Sequence, residues 1–501
     1  GRRPPRGGRS RRCARCTAQA RRRPSAEPRS RVRGEPFSLR PRLPISSGAR
    51  ISMDSGTENL DATAAVARRI IRFTQGGGVV HVVVSGVNVG AQSYWNALST
   101  MLLHTKGALV MTTAGSMVLT GRAALEASGA VAAEDEVAIG GLERIAAPNG
   151  QAQYCAASLR DAFDVLARHY SYTYVVPGER WPRRRATTDP VDRDVTRFPY
   201  RGDSSDGFVE IGDVFDDAKN PGRRRPFSMR AVMAAVVDQD GGNLERWHTW
   251  RGAETAIVWD ARLGGIAVCV IGVESRSLAR SGDLPVDGPS SWTAGTLFSL
   301  SSRKIARAIH SASGNRPVVV LANLSGFDGS PESLRSLQLE NGAEIARAVV
   351  NVASPLLFLV VSRFHGGAYV VFSRRLSANV RVGALEGSYA SVIGGSAAAK
   401  VVFTRETRQR AARDPEVVAA RALEQNDGSA GHAAFEGTLQ RAIERAEIEV
   451  AAEFEAVHTV ERAQQVGSLH DVVPPAQMRP YLIGALEEAL ASADGERAAQ
   501  S

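Results

Sequence analysis

The chain has 501 residues, 43% of them hydrophobic, and a formal net charge of +10, which allows two or three domains around a large core and excludes a protein disordered throughout. The charge is concentrated at one end. Residues 1–50 hold 16 Arg and no Lys against Glu27 and Glu35, a balance of +14 that leaves residues 51–501 at −4, so the body is mildly acidic and not built for nucleic acid or a membrane surface.

In chain order, residues 1–50 combine Arg2, Arg3, Arg11, Arg12 and Arg21–Arg23 with many Pro, Ser and Gly. Such a segment buries too little apolar surface to offset chain entropy and is expected to be a disordered tail. It reads as a nucleic-acid arm, an organelle-targeting peptide, a linker, or sequence from a wrongly assigned reading frame. Cys13-Ala-Arg-Cys16 lies in it, and Cys155 and Cys269 are isolated in the body. One CxxC without a second Cys or His pair is weak evidence for zinc, and four scattered thiols make no disulfide framework. A soluble protein of a reducing compartment, without a metal, is expected, since no apolar run reaches the roughly 18 residues of a membrane span.

Past the tail, Met53-Asp54-Ser55-Gly56 suits a helix start, and an amphipathic helix with Ala67-Arg68, Ile70 and Ile71 leads into the strand Val79-Val80-His81-Val82-Val83-Val84. This short β-branched run predicts a buried parallel strand. Ser85 follows at once, and Gly90-Ala91 comes six residues past the strand end. A Ser-rich turn from Ser116 to Gly121 precedes an Ala-rich helix. The same order returns later as Ser325-Gly326, a helix with Ala346-Arg347, Val349 and Val350, the strand Leu356-Leu357-Phe358-Leu359-Val360-Val361, Ser362, Gly367-Ala368, and a turn from Ser388 to Gly394. Ser55 to Ser85 is 30 positions and Ser325 to Ser362 is 37, a difference of about seven that a surface loop absorbs. The chain therefore reads as two α/β units related by internal duplication.

A Gly just beyond a parallel strand lets backbone N–H groups approach a ligand, and where it opens a helix those N–H groups lack internal acceptors and face the positive helix end. Two such turns suit transfer of a carboxyl group between two carbonyl-type groups, because an enolate and a ureido anion both develop charge. Each pre-set backbone donor is worth about 2.7–4 kcal/mol. No GxSxG, Walker A or GxGxxG pattern is present to suggest a serine nucleophile or nucleotide chemistry.

At these motifs the sequence resembles biotin-dependent carboxyltransferases of the acetyl-CoA carboxylase type, from Met53 to about Leu490. The segments that carry the resemblance are VSGVNVGAQSYWNA (84–97), GNRPVVVLANLSGFDGSPES (314–333), SRFHGGAYVVFS (362–373), EGSYASVIGG (386–395) and VHTVERAQQVGSLHDVVPPAQMRPYL (457–482). The resemblance implies two crotonase-like (ClpP/crotonase) β-β-α domains. It implies that Gly90 and Ala91 form an oxyanion hole on the coenzyme A side, and that Gly367 and Ala368 form one on the biotin side. It assigns substrate binding to Arg276, Gly366 and Arg363, the last in place of an arginine that the family carries where His365 stands here. Biotin on a separate or missing carrier is the implied cofactor and a coenzyme A thioester the substrate. The implied partners are biotin carboxylase and carrier domains and a second copy of the chain, whose amino-terminal domain pairs with this chain's carboxyl-terminal one. The family's first domain has strands ahead of the segment like MDSGTENLD (53–61), so a truncated first domain with an open sheet edge is expected.

The expected layout is a tail at 1–50, a truncated amino-terminal domain at 51–185, a polar linker at 186–226, a carboxyl-terminal domain at 227–425, a helical region at 426–490 and a short tail at 491–501. The expected activity is transfer of a carboxyl group to acetyl-CoA or another short acyl-CoA, giving malonyl-CoA for fatty acid synthesis, in the cytoplasm or alternatively an organelle. The alternatives are a crotonase-type hydratase or isomerase, which needs a carboxylate beside the glycine turn, and an inactive fragment of a larger, ATP-dependent carboxylase.

Overall fold

The computed structural model describes residues 40–46, 48, 53–54, 56–130, 133–282 and 284–500. The disorder expected of residues 1–39, the pair Cys13 and Cys16, and Ser55 of the first Ser-Gly turn lie outside them. No helix among the described residues is long and apolar enough to cross a membrane.

The first unit is built on a four-stranded sheet of β1 (Arg40–Arg42), β2 (Val80–Val84), β4 (Leu109–Thr112) and β6 (Tyr154–Ala156), in that spatial order and parallel throughout. β2 and β4 are buried along their whole length, as strands covered by structure on both faces must be. The helix Thr57–Gln75 crosses over between β1 and β2, turning Ile70 and Thr74 inward. Beyond the sheet, β3 (Val87–Val89) pairs in parallel with β5 (Ser116–Val118). β1 falls inside the stretch expected to be a disordered tail. It pairs Arg40 with Val80, Pro41 with His81 and Arg42 with Val82, along the edge of β2 expected to stand open. An edge strand needs main-chain pairing on one side only, so Arg-Pro-Arg serves without apolar side chains, and a proline is tolerated there.

In the second unit an eight-stranded sheet contains β7 (Leu244–Glu245), β8 (Ala256–Leu263) and β9 (Ile266–Val273). Two short pairs outside it join β10 (Leu278–Ala279) to β11 (Ser291–Trp292), and β12 (Thr296–Leu297) to β14 (Gly326–Phe327). The sheet continues with β13 (Val318–Leu324), β15 (Leu356–His365), β16 (Val380–Leu385), β17 (Tyr389–Ser391) and β18 (Asp471–Val473). Its order is β18-β16-β15-β13-β9-β8-β7, with β17 on the far end of β15. Pairing is parallel from β18 to β9 and antiparallel at β8 and β7. Alternate residues of β8 and β9 enter two cores: Val258, Cys269 and Ile271 on one face, Ile257, Val268 and Val270 on the other. That two-sided burial explains why these strands are apolar along most of their length, Asp260 and Arg262 of β8 excepted.

Two stretches differ from the layout expected from sequence. The segment 186–226 is no free linker: Val195, Ile211 and Val214 are fully buried in the second core. Its polar residues make this docking cheap by serving each other. Asp194 accepts from the Thr196 N–H, Asp203 from the Ser205 N–H, and Asp213 from the N–H groups of Val209 and Glu210. Arg223, within that stretch, is buried and donates to Val361 O at 2.8 Å and Ser388 Oγ at 2.7 Å. The boundary expected at residue 425 falls inside one helix, Pro415–Val457, started by Pro415 and by an Asp414 carboxylate that accepts from the Glu416 N–H.

The two units meet around Asp260 of β8, which is fully buried. Its carboxylate accepts from Arg246 Nε at 2.8 Å, from Arg316 Nε at 3.0 Å and, across the joint, from Tyr154 Oη at 3.2 Å. His169 of the first unit stands 3.6 Å from the same carboxylate, and burial pushes its imidazole from 6.5 down to about 4. The unfolded chain therefore binds a proton at His169 that the folded chain refuses between these two values. The contribution of this group to stability is complete above about pH 7 and is lost as the pH falls from 6.5 toward 4. By linkage, acidifying from pH 7 to pH 5 removes about 2 kcal/mol at this position. Urea unfolding of the protein and of a His169→Gln variant at both pH values checks it, the variant showing the smaller acid loss.

Candidate functional site

The first glycine turn lies where β3 ends. Gly90 has φ 62° and ψ −122° and opens the helix Ala91–Thr100, a backbone conformation that L side chains rarely adopt. Its N–H is committed to Val118 O at 2.9 Å, because the β3–β5 ladder runs on through it. Gly90 thus supplies the turn, and the first helical N–H groups that lack intrahelical acceptors belong to Ala91 and Gln92.

A buried polar brace fixes this turn, and the sequence reading missed it. Asn88 is fully buried, accepts from Asn96 Nδ2 at 2.9 Å, and donates to Pro44 O at 3.0 Å and Gly86 O at 3.2 Å. Ser93 Oγ lies 2.9 Å from Asn88 O and 3.0 Å from Val118 O. All three residues lie in the segment 84–97, where a polar residue amid Val-Asn-Val was the available signal. Asn88→Ala strands the Asn96 amide and frees the Pro44 carbonyl, and is expected to cost about 1–3 kcal/mol, read as a lower urea midpoint.

The second turn has the same construction. β15 runs past the end of β16 and takes β17 as its new parallel neighbour, pairing Arg363 with Tyr389 and His365 with Ser391. Gly366 follows with φ 61° and starts the helix Gly366–Val371. β3 likewise pairs Val89 with Val118 immediately before Gly90. The conformational partner of Gly90 is therefore Gly366, and that of Ala91 is Gly367. This is one residue away from the match of Gly90 with Gly367 expected from the Ser that follows each strand, since Ser362 still belongs to β15.

Gly366 and Gly367 lie on a groove of about 800 Å³ lined also by Val392, Phe403, Phe454 and His458. Ala368 sits beneath it, fully buried in the core. A Cβ on Gly367 would stand 2.8 Å from the Phe327 ring, so the ring reaches the backbone only because glycine is there. His365 is buried, and its Nδ1 accepts from the Ser391 N–H at 3.2 Å. Burial pushes the imidazole down to about 4, leaving a neutral ring that buttresses the turn.

Of the expected site residues, the structure gathers Gly366 and Gly367 on this groove, whereas Gly90, Ala91, Arg276 and Arg363 do not line it. Arg363 was expected to bind substrate, but its guanidinium donates to Arg223 O at 2.8 Å and Gly222 O at 2.9 Å and so pins the 222–223 turn. Arg276 is held by two carboxylates, Asp203 at 3.1 Å and Asp206 at 3.2 Å. Both aspartates come from the stretch expected to be a linker, which is why the sequence hid the pairing. Among the described residues no group of three or more His, Cys, Asp or Glu could hold a metal ion.

Comparison with known proteins places this architecture. A family model described as carboxyl transferase domain matches residues 38–498. The β5 subunit of the biotin-dependent acetyl-/propionyl-coenzyme A carboxylase of Mycobacterium tuberculosis is 23% identical over 284 residues, 56% of this chain and 46% of that protein. The propionyl-CoA carboxylase β chain of Saccharopolyspora erythraea is 25% identical over 294 residues, 58% and 48% of the two. Acetyl-CoA carboxylase of Saccharomyces cerevisiae is 30% identical over 167 residues, 29% of this chain and 7% of that one. The chain spans about half the length of the bacterial relatives it matches. Among solved structures, the transcarboxylase 12S crystal structure with methylmalonyl-coenzyme A bound aligns with TM-score 0.65 and 20% identity, covering 90% of this chain and 72% of that one, and so has the same α/β fold. The chain belongs to the carboxyl transferase domain family, alongside biotin-dependent acyl-CoA carboxylases.

Proposed function

We propose that the chain is the carboxyltransferase of a biotin-dependent acyl-CoA carboxylase, moving a carboxyl group from a carboxylated biotin carrier to acetyl-CoA or propionyl-CoA. The observation that carries this reading is the pair of turns in which a glycine of positive φ, Gly90 or Gly366, ends a strand and opens a helix. Their matching neighbours support an internal duplication of one crotonase-like unit.

In this reading the N–H groups of Ala91 and Gln92 face the thioester oxygen of the coenzyme A substrate, and that of Gly367 faces the ureido oxygen of biotin. When bound, carboxylated biotin supplies the carboxyl group. The chain's own part is to hold two oxygens on pre-set donors as charge develops on them, a role worth about 2.7–4 kcal/mol for each donor lost in comparable sites. The apolar lining of the second groove, with Val392, Phe403 and Phe454, excludes water and strengthens those donors. No carboxylate among the described residues lines this groove, which favours carboxyl transfer over hydratase or isomerase chemistry. The groove fits biotin's ureido ring, since Gly366 and Gly367 present backbone on its wall.

The working form is a dimer in which the first unit of one copy faces the second unit of the other. A biotin carboxylase and a carrier, whether separate subunits or further domains, complete the ATP-dependent reaction, and malonyl-CoA for fatty acid synthesis is the product when acetyl-CoA is the acceptor. The test is release of CO₂ from malonyl-CoA and methylmalonyl-CoA by the purified chain with and without free biotin. Biotin-stimulated release from either thioester is expected, and the faster one identifies the acyl group. Release from neither, by a folded dimer, would remove the assignment from this chain.

A further inference from the structure

The joint between the two units holds a cavity of about 20 Å³, lined by His81, Lys106, His169, Arg246 and Arg316 among others. That is room for one atom-sized guest, a single water needing roughly 10–15 Å³. His81 is 1% exposed. Its Nδ1 accepts from the Ala108 N–H at 3.1 Å, so in the neutral ring the proton sits on Nε2. Among the described residues that buried Nε2–H finds no acceptor, an arrangement that costs stability unless a guest supplies one.

The chemistry of the walls says which guest. Lys106, Arg246 and Arg316 bring three cations, and among the described residues Asp260, fully buried beside them, is the one carboxylate paired with the two arginines. Three nearby acceptors are already engaged. Asn315 Oδ1 accepts from Arg316 at 3.1 Å, Ser311 Oγ from Arg246 at 2.9 Å, and Ser313 O from Lys106 at 2.6 Å. A water here would have to place its own two hydrogens among walls rich in donors. An anion has no hydrogens to place, and it offsets the surplus positive charge in a setting of low dielectric. Burial first, with Arg246 and the neighbouring His169 adding to it, holds the His81 imidazole well below its usual range, so the neutral ring presents Nε2–H as a donor.

We propose that this cavity is a binding site for one halide-sized anion, chloride in solution, that clamps the first unit to the second. The site uses none of the glycine-turn residues. His81 comes from β2 and Lys106 from the turn before β4, while Arg246, Ser311 and Arg316 come from the other unit, so an anion held by both sides stabilises the joint by mass action.

Crystals of the full chain grown in sodium bromide, with data collected at the bromine edge, read the site directly. An anomalous peak within hydrogen-bond distance of His81 Nε2 is expected. Ordinary water density there without an anomalous signal overturns the proposal. In solution, the unfolding midpoint at fixed ionic strength is expected to be about 2 °C or more higher in chloride than in gluconate. Lys106 is partly exposed, and Lys106→Met keeps the fold while weakening the halide effect about tenfold in midpoint concentration. Equal midpoints in the two salts overturn the proposal as well.

Discussion

Replacing Gly367 by proline lowers biotin-stimulated decarboxylation by about 10²–10³-fold, the cost of removing one oxyanion donor. Proline has no N–H, so the substitution deletes the proposed donor itself. The position is the second of the helix Gly366–Val371, where the lost N–H has no intrahelical acceptor and proline is tolerated. Folding should survive, with an unchanged far-ultraviolet spectrum. Any new Cβ meets the Phe327 ring at 2.8 Å, and a Gly367→Ala control isolates that crowding while keeping the N–H. The control should lose no more than about tenfold, equivalent to roughly 1.4 kcal/mol. Equal losses in the two variants would assign the effect to Phe327 and not to the donor.

The largest stability effect is expected at Asp260, which lines neither glycine turn. Asp260→Leu leaves Arg246 and Arg316 buried without their shared carboxylate, and removing one partner of a buried ion pair costs about 3–5 kcal/mol. Both arginines are nearly inaccessible to water, so solvent cannot rescue them. Tyr154 Oη and His169 lose their partner across the joint at the same time. Urea unfolding should show a midpoint well below that of the unaltered protein. Asp260→Asn, which still accepts hydrogen bonds but carries no charge, should fall between the two.

Legibility in the sequence followed from how much of an element's stability lies in side chains. β2 and β15 could be read because Val79–Val84 and Leu356–Val361 must be apolar on both faces of a covered parallel sheet. β1 could not, because Arg40-Pro41-Arg42 contributes backbone pairing alone to an edge. The segment 186–226 looked like a linker because its carboxylates and hydroxyls are satisfied locally, which says nothing of where Val195, Ile211 and Val214 dock.

The two glycine turns were legible in the sequence, and their register was not. Both glycine turns were visible as Gly after a strand, yet their equivalence slipped by one residue because β15 continues through Ser362 to His365, while β2 stops at Val84 and the chain resumes as β3. Arg276 and Arg363 carried the charge expected for a carboxyl group, but Asp203, Asp206 and the 222–223 carbonyls engage them. Those partners are 70 to 141 positions away in sequence, beyond the reach of local pattern.

The central claim is that two glycine turns, one from each unit and from different copies of the chain, serve one carboxyl transfer. Mixing a Gly90→Val variant with a Gly366→Val variant tests it most directly. Each alone should be inactive in biotin-stimulated decarboxylation, because a β-branched residue cannot hold the positive φ of either turn. Re-assorted dimers of the two contain one site built wholly from unaltered units, so the mixture should recover about a quarter of the original activity. A mixture that stays inactive while both variants fold and exchange subunits, or a Gly90→Val protein that works normally alone, would contradict the account.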